Sequence, residues 1–189
     1  MGAEDAWAFK LDAAGNLLWD KTYNGGGSDI ALKRTRFHSV AVSNDGQLIF
    51  AASSSADIGN QKTEPARGFD DVWLLRTDAS GNVIWDKTFG STNVEDMPVV
   101  ITTADGGFLV GCISQGDVGG DRTEASRGAA DYWMVKTDSQ GNKQWDRRFG
   151  GTGFDAFSDL VQAPDGGYVL AGYSLSGVGG DRAAVKKNS

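Results

Sequence analysis

Three carboxylates, Asp117, Asp121 and Glu124, flank a Gly119-Gly120 pair in one short segment. Several oxygen ligands on a bent loop suit Ca²⁺, so calcium is the ion this segment suggests, although its spacing is not that of an EF-hand. The competing reading needs no ion: Glu124 and Arg127 form a partly exposed ion pair that ties the loop to its neighbour. A sister segment runs from Asp57 to Arg67, and the third copy, from Gly177 to Ala184, lacks the first Asp and the Glu. A metal site would therefore not be common to all copies, and beyond calcium the sequence suggests no cofactor.

The second set of candidates is aromatic. Trp7, Trp73 and Trp133 each follow an Asp by two positions. Exposed, they would be three equivalent platforms for the faces of sugar rings; buried, they would pack one repeat against the next. His38 has no second His or Cys at a metal-ligand spacing, and a catalytic role is not expected of it. Serines are plentiful without a Gly-x-Ser-x-Gly elbow. The glycine-rich stretches at 24–28 and 150–153 lack the Lys-Ser/Thr ending of a phosphate loop and read as turns. No catalytic residue is assigned.

The elements that must position these residues repeat. Asp-x-Trp occurs at Asp5/Trp7, Asp71/Trp73 and Asp131/Trp133, the last two 60 residues apart and the first two 66. Each is followed by a basic residue (Lys10, Arg76, Lys136), a Gly-Asn pair (at 15, 81 and 141) and a Trp-Asp pair (at 19, 85 and 145). Further on come an acid (Asp29, Glu95, Asp155), an Asp-Gly turn (at 45, 105 and 165) and a run of small and apolar residues. The units are taken as 1–70, 71–130 and 131–189, with six extra residues in the first that are read as including His38.

Each unit reads as four strands. Asp71 to Asp78 and Asn82 to Phe89 are β-formers joined by a short Gly-containing loop, one antiparallel hairpin. A second hairpin turns at Asp105-Gly106, and its returning strand, 107–113, is nearly all apolar, as a strand buried on both faces and lying innermost in its sheet would be. Four strands too few to bury their own faces must stack on a neighbour. The expected fold is all-β and propeller-like, with three four-stranded antiparallel blades; a solenoid would have shorter coils, and a sandwich would not repeat in sequence.

Composition agrees. The 189 residues include 27 Gly and only 3 Pro, and 40% are hydrophobic, enough for a real core with many tight turns. The net charge of −7 repels phosphate backbones and anionic lipid, so nucleic acid is not an expected partner, and no apolar run is long enough for membrane insertion. Lys33 to Arg36 and Lys186-Lys187 are local basic exceptions read as solvated charges. The single cysteine, Cys112, sits in an apolar run and excludes an intrachain disulfide.

The segment 131–146, with Phe149-Gly-Gly, Asp165-Gly-Gly-Tyr and Ala171-Gly-Tyr-Ser, resembles the tandem Trp-rich repeats of roughly sixty residues found in secreted surface proteins of type IX-secreting bacteria. More distantly, Asp-x-x-Gly-x-x-x-Trp is similar to the docking motif of quinoprotein propellers, with a turn one residue shorter. The first resemblance implies an extracellular or cell-surface location, with signal and sorting sequences outside this stretch, and a non-catalytic binding or scaffolding role towards a protein or glycan partner. The alternatives are a lectin-like propeller and, more remotely, a degenerate quinoprotein-like enzyme. Three units are fewer than the roughly four to eight blades of a closed propeller. Either two chains complete a six-bladed ring, or the chain is a piece of a longer array.

Overall fold

A computed structural model describes residues 4–26 and 33–183. They form twelve strands and no helix: β1 (Ala6–Leu11), β2 (Leu17–Tyr23), β3 (Thr35–Val42), β4 (Leu48–Ser54), β5 (Asp71–Thr77), β6 (Val83–Phe89), β7 (Glu95–Thr102), β8 (Phe108–Ser114), β9 (Asp131–Thr137), β10 (Lys143–Phe149), β11 (Asp155–Gln162) and β12 (Tyr168–Ser174). None of the described residues forms a helix able to cross a membrane.

Each sequence unit supplies four strands, but the sheets are cut half a unit later. The order is β1-β2, then β3-β4-β5-β6, then β7-β8-β9-β10, then β11-β12, antiparallel throughout. The expected three four-stranded blades are therefore replaced by two four-stranded sheets between two half-sheets, and the described residues close into neither a barrel nor a ring. The reason lies in the joint between units: Ser54 pairs with Asp71 and Leu48 with Thr77, and Ser114 with Asp131 and Phe108 with Thr137. The second hairpin of one unit continues into the first hairpin of the next.

The apolar strands β4 and β8 are buried on both faces, as their composition requires. They are not innermost, however. Each lies second in its sheet, and the edge strands β3, β7 and β11 approach one another across the sheets. β12 is a run of small, aliphatic and aromatic residues like β4 and β8, yet it is largely exposed, because no strand lies on its outer edge among the described residues.

Three apolar layers separate the sheets. Tyr23 and Ala8 of the first sheet meet Phe50, Ala52, Trp73 and Leu75 of the second. Ile49, Ala51, Val72, Leu74 and Phe89 of the second meet Val100, Phe108, Val110, Cys112 and Trp133 of the third. Leu109, Ile113 and Met134 of the third meet Phe157 and Leu160 of the fourth. Each buried aromatic removes about 150–250 Å² from water, so the Trp series carries much of the adhesion between sheets.

The turns are built alike. In the first hairpin of each unit, the carboxylate of Asp12, Asp78 or Asp138 accepts the N–H groups two and four residues on and the side-chain amide of the following Asn. These bonds hold all three carboxyls below their usual pKa. Glycine is required at 81 and 141 twice over. Both have φ near +77° (+76 and +78), and a Cβ would lie 2.8 Å from Tyr23 Oη at the first and 2.8 Å from Lys87 Cγ at the second. The preceding sheet leans on these turns: Trp19 donates to Ala79 O (3.1 Å), Tyr23 to Gly81 O (2.7 Å) and Lys21 to Asn82 (2.6 Å).

Candidate functional site

The crossing segments 57–67 and 117–127 join β4 to β5 and β8 to β9, and the repeated acids Asp86 and Asp146 bind them. Thr63 donates both its backbone N–H (2.9 Å) and its hydroxyl (2.6 Å) to Asp86, which also accepts the indole N–H of Trp73 (2.8 Å). One unit on, Thr123 donates the same two groups to Asp146 at 2.9 Å each, and Trp133 donates its indole at 3.0 Å. Trp73 and Trp133 are 0% exposed, whereas Trp7 is 59% exposed and reaches Asp20 at 3.2 Å. Two of the three expected sugar platforms therefore present no ring face to solvent. Packing describes Trp73 and Trp133, and of the three tryptophans only Trp7, with Phe9 at 4.8 Å between ring centroids, is exposed.

Asp117, Asp121 and Glu124 do not converge. Asp117 accepts the N–H groups of Val118 and Ser126, Asp121 takes the Arg67 guanidinium (3.2 Å) and the Gly90 N–H, and Glu124 accepts the Arg148 N–H (2.9 Å). Among the described residues, no three His, Cys, Asp or Glu side chains are grouped to hold a metal ion. The expected Glu124–Arg127 pair is likewise redistributed: Arg127 meets Asp181 at 2.6 Å. Arg67–Asp121 and Arg127–Asp181 thus form a ladder in which each crossing segment grips the next.

Sequence reading missed the cation in the middle of each crossing. Lys62 and Arg122 lie in charged loops, yet both are 1% exposed. Lys62 donates to Glu64 O and Thr88, and burial lowers its pKa. Arg122 donates to Ser114, Glu124 O and Asp131, the last at 3.3 Å with both side chains fully buried. Only the position of each, five residues past the Asp57 and Asp117 that open the two segments, marked them in the sequence.

His38 is not in the first unit's insertion. It is the bulged residue of β3, between Phe37 and Ser39, where Ser158 stands in β11. Thr35, not Asp29, opens β3 opposite Ser54, as Glu95 and Asp155 do opposite Ser114 and Ser174; Asp29 lies outside the described residues. His38 Nε2 is 3.1 Å from Ser53 Oγ and 3.7 Å from Asp96. Ser53 donates to Asp96 at 2.6 Å, so Ser and Asp share one ring nitrogen and the hydroxyl is spent on the carboxylate. A nucleophilic triad needs the acid on the other nitrogen, which orients a base towards a free hydroxyl. Burial also lowers the His38 pKa.

Of the basic cluster, Lys33 pairs with Asp57, Arg34 with Asp70 and Arg36 with Glu4, so these charges are matched rather than merely solvated. Lys186 and Lys187 lie outside the described residues. Cys112 is buried, and burial pushes its thiol pKa well up.

A depression of about 380 Å³ lies between the third sheet and the open edge of the last half-sheet and is lined by Tyr132, Phe149, Gly172, Ser174 and Arg182 among others. A second, of about 280 Å³, runs beside Trp7, Phe9, Phe37 and His38.

No family model matches the chain, and no curated protein matches it. Among solved structures it is similar to a protein of unknown function from Bacteroides caccae, at 13% identity over 86% of this chain and 77% of that one, with a TM-score of 0.28.

Proposed function

We propose that the chain is a non-catalytic binding and scaffolding module of a secreted or cell-surface bacterial protein, its sheets arranged as blades of a propeller-like assembly. One observation carries this reading. The residues that repeat in sequence do the same structural work in successive units: Trp73, Asp86 and Thr63 make the bonds that Trp133, Asp146 and Thr123 make again. Repetition of that kind maintains a stacked framework, and the surface left for a partner is that of the crossing segments and turns. Trp7 with Phe9 supports the lectin-like alternative at one site only.

The test is retention of labelled chain on bacterial envelopes. Saturable retention lost after protease treatment of the envelopes supports a protein partner. Loss after periodate oxidation of glycans, with Trp7→Ala abolishing retention, replaces this reading with the lectin-like one. Absence of saturable retention on any envelope overturns both.

A further inference from the structure

The 380 Å³ depression on the last half-sheet has a filled counterpart one unit earlier. Moved back by the sixty-residue step, its lining residues Tyr132, Phe149, Gly172, Ser174 and Arg182 become Val72, Phe89, Cys112, Ser114 and Arg122. Those residues surround the start of β9. Cys112 pairs with Trp133 and Ser114 with Asp131 in the ladder, Val72 and Phe89 pack in the Trp133 layer, and Arg122 grips Asp131. The depression is thus the seat of an Asp-x-Trp strand.

We infer that this seat receives β1 and β2 of a second copy of the chain. Three features of the same chain match it. Arg182 meets no carboxylate within ion-pair distance among the described residues and donates instead to Ser174 and to the Ser176 carbonyl, while Asp5, the counterpart of Asp131, is exposed. Trp7 and Phe9 are exposed on the face of β1 that corresponds to the buried face of Trp73 and Leu75. At the turns, Arg76 pairs with Asp45 (2.6 Å) and Lys136 with Asp105 (2.8 Å), whereas Asp165, last of its series, and Lys10, first of its own, form no ion pair among the described residues.

The register follows from the two joints inside the chain. By the pairing of Phe50 with Leu75 and Val110 with Val135, Leu170 of one copy lies opposite Phe9 of the other, and by Ser54 with Asp71 and Ser114 with Asp131, Ser174 lies opposite Asp5. Trp7 enters the seat opposite Gly172, Asp5 reaches Arg182, and Lys10 reaches Asp165. Among the described residues β1 and β12 do not pair with each other, and the outer edge of each is open to a strand of the second copy. The contact is head to tail, and made twice between two copies it arranges all their strands as four-stranded sheets. It is independent of what the loops bind.

The experiment is sedimentation of the 189-residue chain, with circular dichroism to verify folding. The wild-type chain is expected at twice the chain mass at micromolar concentration. Chains with a damaged donor (Asp5→Arg with Trp7→Ala) or a damaged acceptor (Asp165→Lys with Arg182→Glu) are each expected as folded monomers. Their equimolar mixture regains the doubled mass, because one intact joint remains. Oxidation links Ala171→Cys to Ala8→Cys, which face each other in this register, and links Ala171→Cys to Ala6→Cys at least about tenfold less, since diagonal neighbours exceed disulfide reach. A folded wild-type monomer overturns the inference, as do a dimer that survives both damaged variants and cross-linking that ignores register. A monomer that takes up a peptide of residues 1–23 also overturns it, by assigning the seat to some other repeat.

Discussion

The Trp73 indole donates to the Asp86 carboxylate at 2.8 Å, and that carboxylate also holds both donors of Thr63. One buried acid therefore fastens the first strand of a hairpin, its second strand and the segment that crosses from the previous hairpin. Asp86→Ala leaves the indole and a backbone N–H without partners in a dry layer, and the expected cost is about 2–4 kcal/mol. Asp20, which holds exposed Trp7, anchors no such layer, and Asp20→Ala is expected to cost below about 0.5 kcal/mol in the monomeric chain. Urea unfolding of the two variants compares them directly, and equal costs would show that the carboxylate is not the fastening point.

The second tryptophan series behaves differently. Trp19 donates to Ala79 O, but the indole N–H of Trp85 is buried without a partner, and the Ser139 carbonyl at the equivalent turn accepts Arg76 at 2.6 Å. Trp85→Phe therefore removes no bond and relieves an unpaired donor, so it is expected to change stability by less than about 1 kcal/mol, against about 2–3 kcal/mol for Trp73→Phe. Thermal melts of both variants under one buffer decide the order, and the reverse order refutes the assignment.

The local features were legible in the sequence because their causes are local. Asp-x-x-Gly-Asn at 78–82 gives its turn through side-chain bonds that span four residues, and the apolar run of β8 announces burial on both faces. The cut between sheets was not legible, since a sixty-residue period looks the same wherever it is opened. The choice is made by pairing β4 with β5 across a long crossing, an interaction no short window contains. That crossing hides Lys62, and the one between β8 and β9 hides Arg122; both read as loop charges until the neighbouring strands are placed over them. His38 was misassigned for a different reason: the extra residues of the first unit allowed Asp29 to be matched with Glu95, whereas register gives that position to Thr35.

Met97 carries a positive φ of 54° in the bulge of β7, where Asp96 and Val99 are the flanking paired residues and Pro98 follows. A side chain in the left-handed region costs roughly 1–2 kcal/mol, partly offset in Gly by its greater unfolded-state freedom. Met97 is exposed, so little packing is lost on truncation. Met97→Gly is expected to raise stability by about 0.5–1 kcal/mol, while Met97→Val lowers it. Chemical denaturation of both reads the sign, and destabilisation by glycine would remove backbone strain as the explanation.

Asp71 gives the chain a specific response to pH. Its carboxyl is fully buried and accepts the N–H groups of Arg67 (2.7 Å) and Gly68 (3.2 Å), yet burial outweighs these bonds and pushes its pKa up to about 6, with Glu95 adding like-charge repulsion. Unfolded, the group returns to about 3.9. Between these values the folded chain keeps a proton that the unfolded chain has released, so stability falls as pH rises through the window and is fullest below the lower value. The loss is on the order of 2–3 kcal/mol for a shift of this size. The two N–H groups bond different carboxylate oxygens, so Asp71→Asn keeps an acceptor for only one of them and turns its NH2 towards the other; it should remove this slope, at a cost for the lost bond that does not vary with pH. Asp105, held at about 2 by Lys136 and Thr103, titrates below the window in both chains and cancels in the difference. Urea midpoints taken across the window for the two chains test this, and parallel profiles would mean that Asp71 stays ionised in the folded chain.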